Sequence, residues 1–565
     1  MFNKTKIKKK YEKRAKDIDP DEIFLDSENL PKFNIDQFEG RLEKPISFST
    51  FILFSIICFF IFGGFFLRAF NLQVINGKVY LEKSENNRFK NTLIFSNRGI
   101  INDRKNNNLV WNTASSSKPE FSLREYSSLS GLSHILGYIK YPAKDNFGFY
   151  YNENYIGNDG VEKYYNDILS GKNGSRIIEV DANEKVQSES VIRPTEDGKN
   201  LKLSIDSDLQ NYMYNTIAKL SKEVGFAGGA GIIMDVNTGE ILTITNYPEY
   251  NSQILTDGND AIAINNFLKN KNNPFLFRAI DGLYTPGSII KPFISIAALS
   301  ENIIDPNKKI LSAGSISIPN IYDPSHPSIF KDWKIHGWVD MRQALSVSSD
   351  VYFYEIGGGY KDQKGLGINL IDKYMNMFGF GQDLPEGFFS GKAGIIPNPE
   401  WKAKNFNGEK WNLGNTYHTS IGQYGFQVSL IQIIRAMASI VNKGKLLEPS
   451  ILFGGNPEKF IALNLNPDYF KIVKEGMNLC VEEGTAIGLN VEYLNLGAKT
   501  GTAQLGSKNQ FVNSWVVGFF PYDNPKYAFV VIMEKGPSSN STGGVYIMRQ
   551  VFDWMKINTP EYLKS

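Results

Sequence analysis

Between Lys44 and Arg68 the chain carries no charged residue: positions 45–67 read PISFSTFILFSIICFFIFGGFFL. At ~1.5 Å of rise per residue such a stretch reaches roughly 35 Å, more than a hydrocarbon core of about 30 Å requires. The pattern predicts a membrane-spanning helix. A buried core helix rarely holds so long an uncharged run, and a cleaved signal peptide would not follow a tail of 44 residues or lack a small-residue cleavage site. The tail opens MFNKTKIKKKYEKRAK, with eight basic residues against one acidic, which predicts that it stays on the cytoplasmic side while the rest of the chain lies outside.

Beyond the span the pattern changes twice. Residues 72–200 are rich in Asn, Lys, Tyr and Gly, with short β-like runs (NTLIFS, RIIEVDA) and turn clusters (DRKNNN, LSGKNGS), which predict a mostly β stalk. From Leu201 longer elements begin. KLSID reads as a strand, and DLQNYMYNTIAKLSKEV repeats apolar residues at helical spacing. AGGAGIIMDVNTGEILTITNYPEYN reads as two buried strands joined at Asn237, Thr238 and Gly239. Helices and strands then alternate to a strand pair, SWVVGFFPY and YAFVVIME, and a last helix near Val545–Met555. The predicted organisation is a tail (1–44), one membrane helix (45–67), a stalk or pedestal (68–200) and one mixed α/β domain (201–565) without internal repeats.

Composition narrows the function. Apolar residues make up 42% and charged residues 21% of 565, ordinary globular values that exclude a largely disordered chain. Lys plus Arg, 61, nearly balances Asp plus Glu, 59, so nothing global attracts nucleic acid. Two distant cysteines, Cys58 and Cys480, build neither a disulfide framework nor a cysteine metal site, and His134, His326, His336 and His418 lack the short spacings that zinc sites favour.

Candidate chemistry concentrates at three places. In Thr285-Pro286-Gly287-Ser288-Ile289-Ile290-Lys291-Pro292, a serine and a lysine three residues apart share one face of a helix, so the amine can take the hydroxyl proton. The same spacing occurs at Ser115 with Lys118 and Ser328 with Lys331, but only Ser288 follows a Pro-Gly turn and opens an apolar helix whose amides can face a reacting carbonyl. Ser346-Val347-Ser348-Ser349-Asp350 puts a hydroxyl and a carboxylate two residues apart. By itself it reads more readily as Ser348 and Asp350 capping the helix that follows. In Gly497-Ala498-Lys499-Thr500-Gly501-Thr502-Ala503 a cation and two hydroxyls flank a glycine that permits close backbone approach. Ideal pleating would send Lys499 and Gly501 one way and Thr500 and Thr502 the other.

In their order these segments resemble the S-x-x-K, S-x-[ND] and K-[ST]-G motifs of the serine acyltransferases that penicillin acylates. The chain is similar to class B penicillin-binding proteins of the elongation type over nearly its whole exported length. The similarity includes Arg98–Arg104, Gly160–Asn166, Tyr247–Asn251, His336–Arg342 and Pro399–Lys402. The resemblance implies an antiparallel sheet flanked by helices, preceded by a pedestal. It implies that Ser288 attacks the penultimate D-alanine of a peptidoglycan stem peptide, that Lys291 acts as a neutral base beside Lys499, and that Ser348 relays a proton. Asp350 would bond either Lys291 or the substrate amide. Lys499, Thr500, Gly501 and Thr502 would hold the donor's carboxylate, with the amides of Ser288 and Thr502 as the oxyanion hole. No cofactor is implied. Some relatives bind zinc with a cysteine just before the second motif. That place is Leu345 here, so no metal is expected, and His336 and Asp340 are read as structural hydrogen-bonders. Relatives commonly read Gly-Gln-Gly in the segment that here is Ile421-Gly422-Gln423-Tyr424-Gly425.

The expected activity is cross-linking of donor and acceptor stem peptides during elongation, with β-lactams as inhibitors. The expected partners are a glycan polymerase and cell-shape proteins, and the expected location is the inner membrane with the catalytic domain in the periplasm. A D,D-carboxypeptidase or β-lactamase, and a β-lactam-sensing receptor, are the alternatives. The long stalk weighs against the first and the short tail against the second.

Overall fold

A computed structural model describes residues 47–116, 119–180, 185–319, 325–384, 387–506 and 508–564. The basic tail, the first two positions of the expected span and Lys118 lie outside them. The chain divides into two units, residues 1–90 with 179–187 and residues 91–178 with 188–565.

In the first unit, helix α1 (Phe48–Phe70) begins at Ser47 and runs past Arg68 into one π-helical turn, Asn71–Ile75. Among the described residues this is the one helix long and apolar enough to cross a membrane, and none of its residues is buried within the protein. It fits a single-pass anchor. A lone arginine near its end can extend its head toward the interface, so the helix need not stop where the charge appears.

The second unit opens with a small sheet of strands β1 (Ile101–Asn102), β2 (Asn108–Thr113), β3 (Leu123–Tyr126) and β4 (Leu201–Lys202), in the order β4-β1-β2-β3. A fully buried ionic triad holds this pedestal together. Glu162 accepts from Nε of both Arg98 and Arg124, and Arg124 also donates to Gly99 O at 2.7 Å. Two guanidiniums share one carboxylate, so each buried cation has an anionic partner where water is excluded, and the triad keeps a net positive charge. Glu249 ties the pedestal to the rest of this unit: its carboxylate accepts from the amides of Gly131 (2.6 Å) and Ser133 (3.0 Å).

The larger part is built on a five-stranded antiparallel sheet of β5 (Gly228–Asp235), β6 (Ile241–Tyr247), β7 (Gly497–Leu505), β8 (Phe511–Phe520) and β9 (Tyr527–Pro537), ordered β6-β5-β9-β8-β7. Its strands obey the two-residue period on both faces. Ala230, Ile232, Met234, Trp515, Val517, Phe519, Val530 and Ile532 feed one core, while Ile233, Val516, Phe520, Phe529, Val531 and Met533 feed the other. Helices α2 (Ser207–Val224) and α9 (Gly544–Asn558) cover the second face; α3 (Lys291–Ser300) and α7 (Leu430–Val441) belong to the first core. Between α3 and α7 the chain adds α4 (Met341–Val347), α5 (Asp350–Gly358) and α6 (Leu413–Ser420), and α8 (Pro467–Glu482) precedes β7. This mixed α/β layering matches the expected class. It leaves β7 at an edge, where one side of the strand is free of a sheet neighbour.

Candidate active site

Ser288 lies in a 3₁₀ turn, Gly287–Ile290, that runs directly into α3. Residues i and i+3 eclipse in such a turn, so Ser288 and Lys291 share a face by geometry stricter than an α-helix would give. Pro292 falls in the first turn of α3, where no intrahelical donor is lost. The turn is pinned on several sides. Gly287 N–H donates to Gly422 O at 3.0 Å, and Trp515 Nε1–H of β8 donates to Thr285 O at 3.0 Å. Gly501 of β7 presses on it so closely that a Cβ there would lie 2.9 Å from Ile289 Cγ2 and 3.0 Å from Pro286 O. That close packing gives the glycine of the third motif its reason.

Lys291 and Lys499 are both fully buried. Lys291 Nζ donates to Asp350 Oδ1 (2.7 Å) and Ser348 O (2.8 Å), with Ser348 Oγ at 3.4 Å and the Phe353 ring centroid at 5.2 Å. An ammonium has three donors and no acceptor, and this shell supplies three acceptors. Of the two roles left open for Asp350, the structure has it bonding Lys291. Lys499 Nζ donates to Ser348 Oγ (2.8 Å) and Thr500 O (2.9 Å). Burial pushes Lys499 down to about 7, with the Lys291 charge acting in the same direction and Cys480 and Asp350 opposing it. Burial thus depresses the lysine that the expectation placed beside the base.

Ser348 therefore bridges the two lysines through one hydroxyl. Its backbone is left-handed, φ 57°, as the closing residue of α4. The cap of α5 is the next residue, Ser349, which accepts from Tyr352 N–H at 3.3 Å, so Ser348 is released from the capping role the sequence allowed it. Asp332, which sequence reasoning did not single out, fixes this corner. Its Oδ2 accepts from Ser312 Oγ (3.0 Å), Ser349 Oγ (2.9 Å) and Val351 N–H (3.0 Å). Burial pushes the Asp332 carboxyl up, but the Val351 and Asp350 amides, the Ser349 hydroxyl and the Lys291 charge outweigh it and hold the group below the ordinary aspartate value. Trp333 Nε1–H donates to the same Ser348 carbonyl that Lys291 engages, at 3.3 Å.

On β7 the ideal alternation holds, with Lys499 and Gly501 buried, Thr500 half-buried and Thr502 exposed. Thr500 Oγ1 bonds Thr485 Oγ1 at 2.6 Å, and Thr485 in turn meets Cys480 Sγ at 3.3 Å. Thr502 O lies 3.3 Å from where a Gly287 Cβ would stand, which brings the Thr502 backbone beside the Ser288 turn. The rival Ser-x-x-Lys at Ser328–Lys331 is a strand, in which positions i and i+3 face opposite ways.

The residues present do not fit a zinc ion. Leu345 is apolar and fully buried, Asp332 Oδ2 already serves three donors, and Oδ1 accepts from Trp333 N–H at 2.8 Å. Among the described residues no group of three or more His, Cys, Asp or Glu is placed to hold a metal. His336 Nε2 is sealed without a hydrogen-bond partner, 3.6 Å from Asp332 Oδ1, and Asp340 caps α4 in a capping box with Gln343. Tyr424 sits at φ +60° and is held there by stacking on Phe406 (6.2 Å, 11°) and edge contacts with Trp401 and Trp411.

A nucleophile-bearing turn, a serine bridging two buried lysines and an edge strand closing over both define a serine acyl-enzyme of the penicillin-binding class. The chain belongs to the family described as penicillin binding protein transpeptidase domain, matched over residues 229–553. The penicillin-binding protein dimerisation domain matches residues 120–203. It is similar to the peptidoglycan D,D-transpeptidase MrdA of Haemophilus influenzae, 31% identical over 471 residues that cover 76% of this chain and 69% of that protein. Among solved structures it resembles penicillin-binding protein 2 of Pseudomonas aeruginosa in complex with WCK 5153, with a TM-score of 0.68, 27% identity, and coverage of 84% of this chain and 99% of that one. It also resembles penicillin-binding protein 2 of Helicobacter pylori in complex with MreC, with a TM-score of 0.66, 25% identity, and coverage of 83% and 99%.

Proposed function

We propose that this protein is an elongation-type peptidoglycan D,D-transpeptidase. Ser288 Oγ attacks the carbonyl of the penultimate D-alanine of a donor stem peptide, the terminal D-alanine leaves, and an amine of a second stem takes the acyl group. The observation that carries this reading is the Ser348 hydroxyl, bonded to Lys499 Nζ at 2.8 Å and near Lys291 Nζ at 3.4 Å. In this reading the array relays the Ser288 proton to the leaving amine, and Lys499, pushed down by burial to about 7, can take a proton near neutral pH. A donor carboxylate bound by Lys499, Thr500 and Thr502 beside Gly501 makes Lys499 a better proton acceptor, because a nearby anion favours the charged amine. The amides of Ser288 and Thr502 serve as the oxyanion hole.

The same reading divides the chain into a cytoplasmic tail (1–44), a single span (45–67), a pedestal (68–200) and a periplasmic transpeptidase domain (201–565) on the inner membrane. Cell-shape proteins and a membrane glycan polymerase are its partners. The H. pylori relative captured with MreC supports the first of these. Release of D-alanine from an N-acylated peptide ending in D-Ala-D-Ala, followed with and without glycinamide, tests the activity. Transfer to glycinamide by the wild type and none by Ser288→Ala is expected. Hydrolysis that ignores the amine would make the protein a carboxypeptidase instead.

A further inference from the structure

This inference rests on the transpeptidase reading and concerns the second half of that reaction. An acceptor amine enters the cleft as an ammonium and must lose a proton before it can attack. Both lysines already serve the Ser288 side of the cleft, Lys291 at Asp350 and Ser348, Lys499 at Ser348 and Thr500. Three of the four histidines are unsuited. His134 is buried against Asn246 (3.1 Å), His336 Nε2 is sealed, and His326 sits exposed beside Ser325.

His418 differs from all of them. It stands near the end of α6, half-buried, with ring centroids of Phe330 at 5.4 Å and Tyr354 at 6.4 Å. Its ring nitrogens hydrogen-bond no described residue and are not among the polar atoms sealed from solvent. The Asp350 carboxylate is the charged group within electrostatic reach, and burial, which outweighs it, keeps the imidazole below the ordinary histidine value and so neutral at pH 7. Asp350 gives Oδ1 to Lys291, while Oδ2 bonds no described residue and the side chain remains 18% exposed. The helix that carries His418 touches both halves of the cleft. Ser420 Oγ donates to Phe353 O of α5 at 2.9 Å, and Gly422, just beyond α6, accepts from Gly287 N–H.

We propose that His418 is the general base that deprotonates the acceptor's primary amine, while Asp350 Oδ2 draws the ammonium form to it. The ammonium gives one proton to His418 and becomes the nucleophile. Its nitrogen bonds the acyl carbon, the ester bond to Ser288 Oγ breaks, and the second amine proton returns to Oγ through Ser348. His418 then yields its proton to water. The products are an amide, a free Ser288 hydroxyl and one released proton.

The test uses the full chain in detergent micelles, with the D-Ala-D-Ala peptide as donor and glycinamide as acceptor, and compares His418→Gln and His418→Ala. Labelling by benzylpenicillin, a step without an acceptor amine, reports whether each variant is folded and acylable. The ratio of transfer to hydrolysis is expected to fall about 100-fold, the lower end of a general base's contribution, with partial recovery of His418→Ala in added imidazole. An unchanged ratio overturns the proposal. So does a loss of benzylpenicillin labelling in both variants that parallels the loss of transfer, because it makes His418 a structural support. Absence of transfer in the wild type would instead defeat the transpeptidase reading itself.

Discussion

Replacing Lys499 by methionine should stabilise the protein while abolishing acylation. Lys499 is completely enclosed, and burial moves its amine from 10.5 to about 7. At about 1.36 kcal/mol per pKa unit the charged form is penalised by about 5 kcal/mol in the folded state. The sign follows from proton counts. Between pH 7 and 10.5 the unfolded chain holds a proton that the folded chain lacks, so wild-type stability rises with pH across that window. Below 7 both states are protonated and the whole penalty stands. Methionine has similar length and no charge, so it removes the penalty but loses the bonds to Ser348 Oγ and Thr500 O, worth about 1 kcal/mol each. The net gain is about 3 kcal/mol at pH 6 and near zero by about pH 9. For a domain this large that corresponds to a rise in Tm of about 4 °C. Thermal unfolding of the full chain in detergent from pH 6 to 9, with benzylpenicillin labelling alongside, measures both effects. A variant that melts at or below the wild type at pH 6, or that keeps the wild-type pH slope, would refute the reasoning.

Three further perturbations probe other parts of the structure. Asp332→Asn removes the charge that gathers Ser312, Ser349 and the α5 amides, so the Ser348 corner loosens; the second-order rate of benzylpenicillin acylation should fall about 100-fold, as misplacement of about 1 Å commonly produces. Glu162→Ala leaves Arg98 and Arg124 buried and unpaired in the pedestal, a cost of about 3–5 kcal/mol that limited proteolysis should register as early cleavage between residues 91 and 200. Gly422→Ala places a Cβ 2.3 Å from Gly287 O at φ +76°, a strain of about 1–3 kcal/mol released by moving the serine turn, so acylation should slow while the melting temperature changes by only a few degrees.

The central sheet and the three motifs were legible in the sequence because both depend on short-range order. Strands β5, β8 and β9 announce themselves by apolar runs, and Ser288 differs from Ser115 and Ser328 through the Pro-Gly turn before it and the apolar helix after it. Asp332, Thr485 and His418 were not legible. Each acts through contacts made only after folding, as when Asp332 meets Ser312 and Ser349 from separate segments of the chain, and no periodicity marks such a residue. The downward push on Lys499 was equally hidden, since it turns on the complete enclosure of that amine in the folded chain. Tyr424 illustrates a local preference overruled, a bulky residue kept in a left-handed conformation by three aromatic neighbours that the sequence scatters over residues 401–411.

Intact-protein mass spectrometry after exposure to benzylpenicillin, with peptide mapping of the adduct, tests the central claim most directly. One adduct per chain on the peptide bearing Ser288, absent from Ser288→Ala and strongly slowed in Ser348→Ala, is the predicted result. An adduct that persists in Ser288→Ala, or that maps to another residue, would contradict the assignment of this cleft as the acylating site.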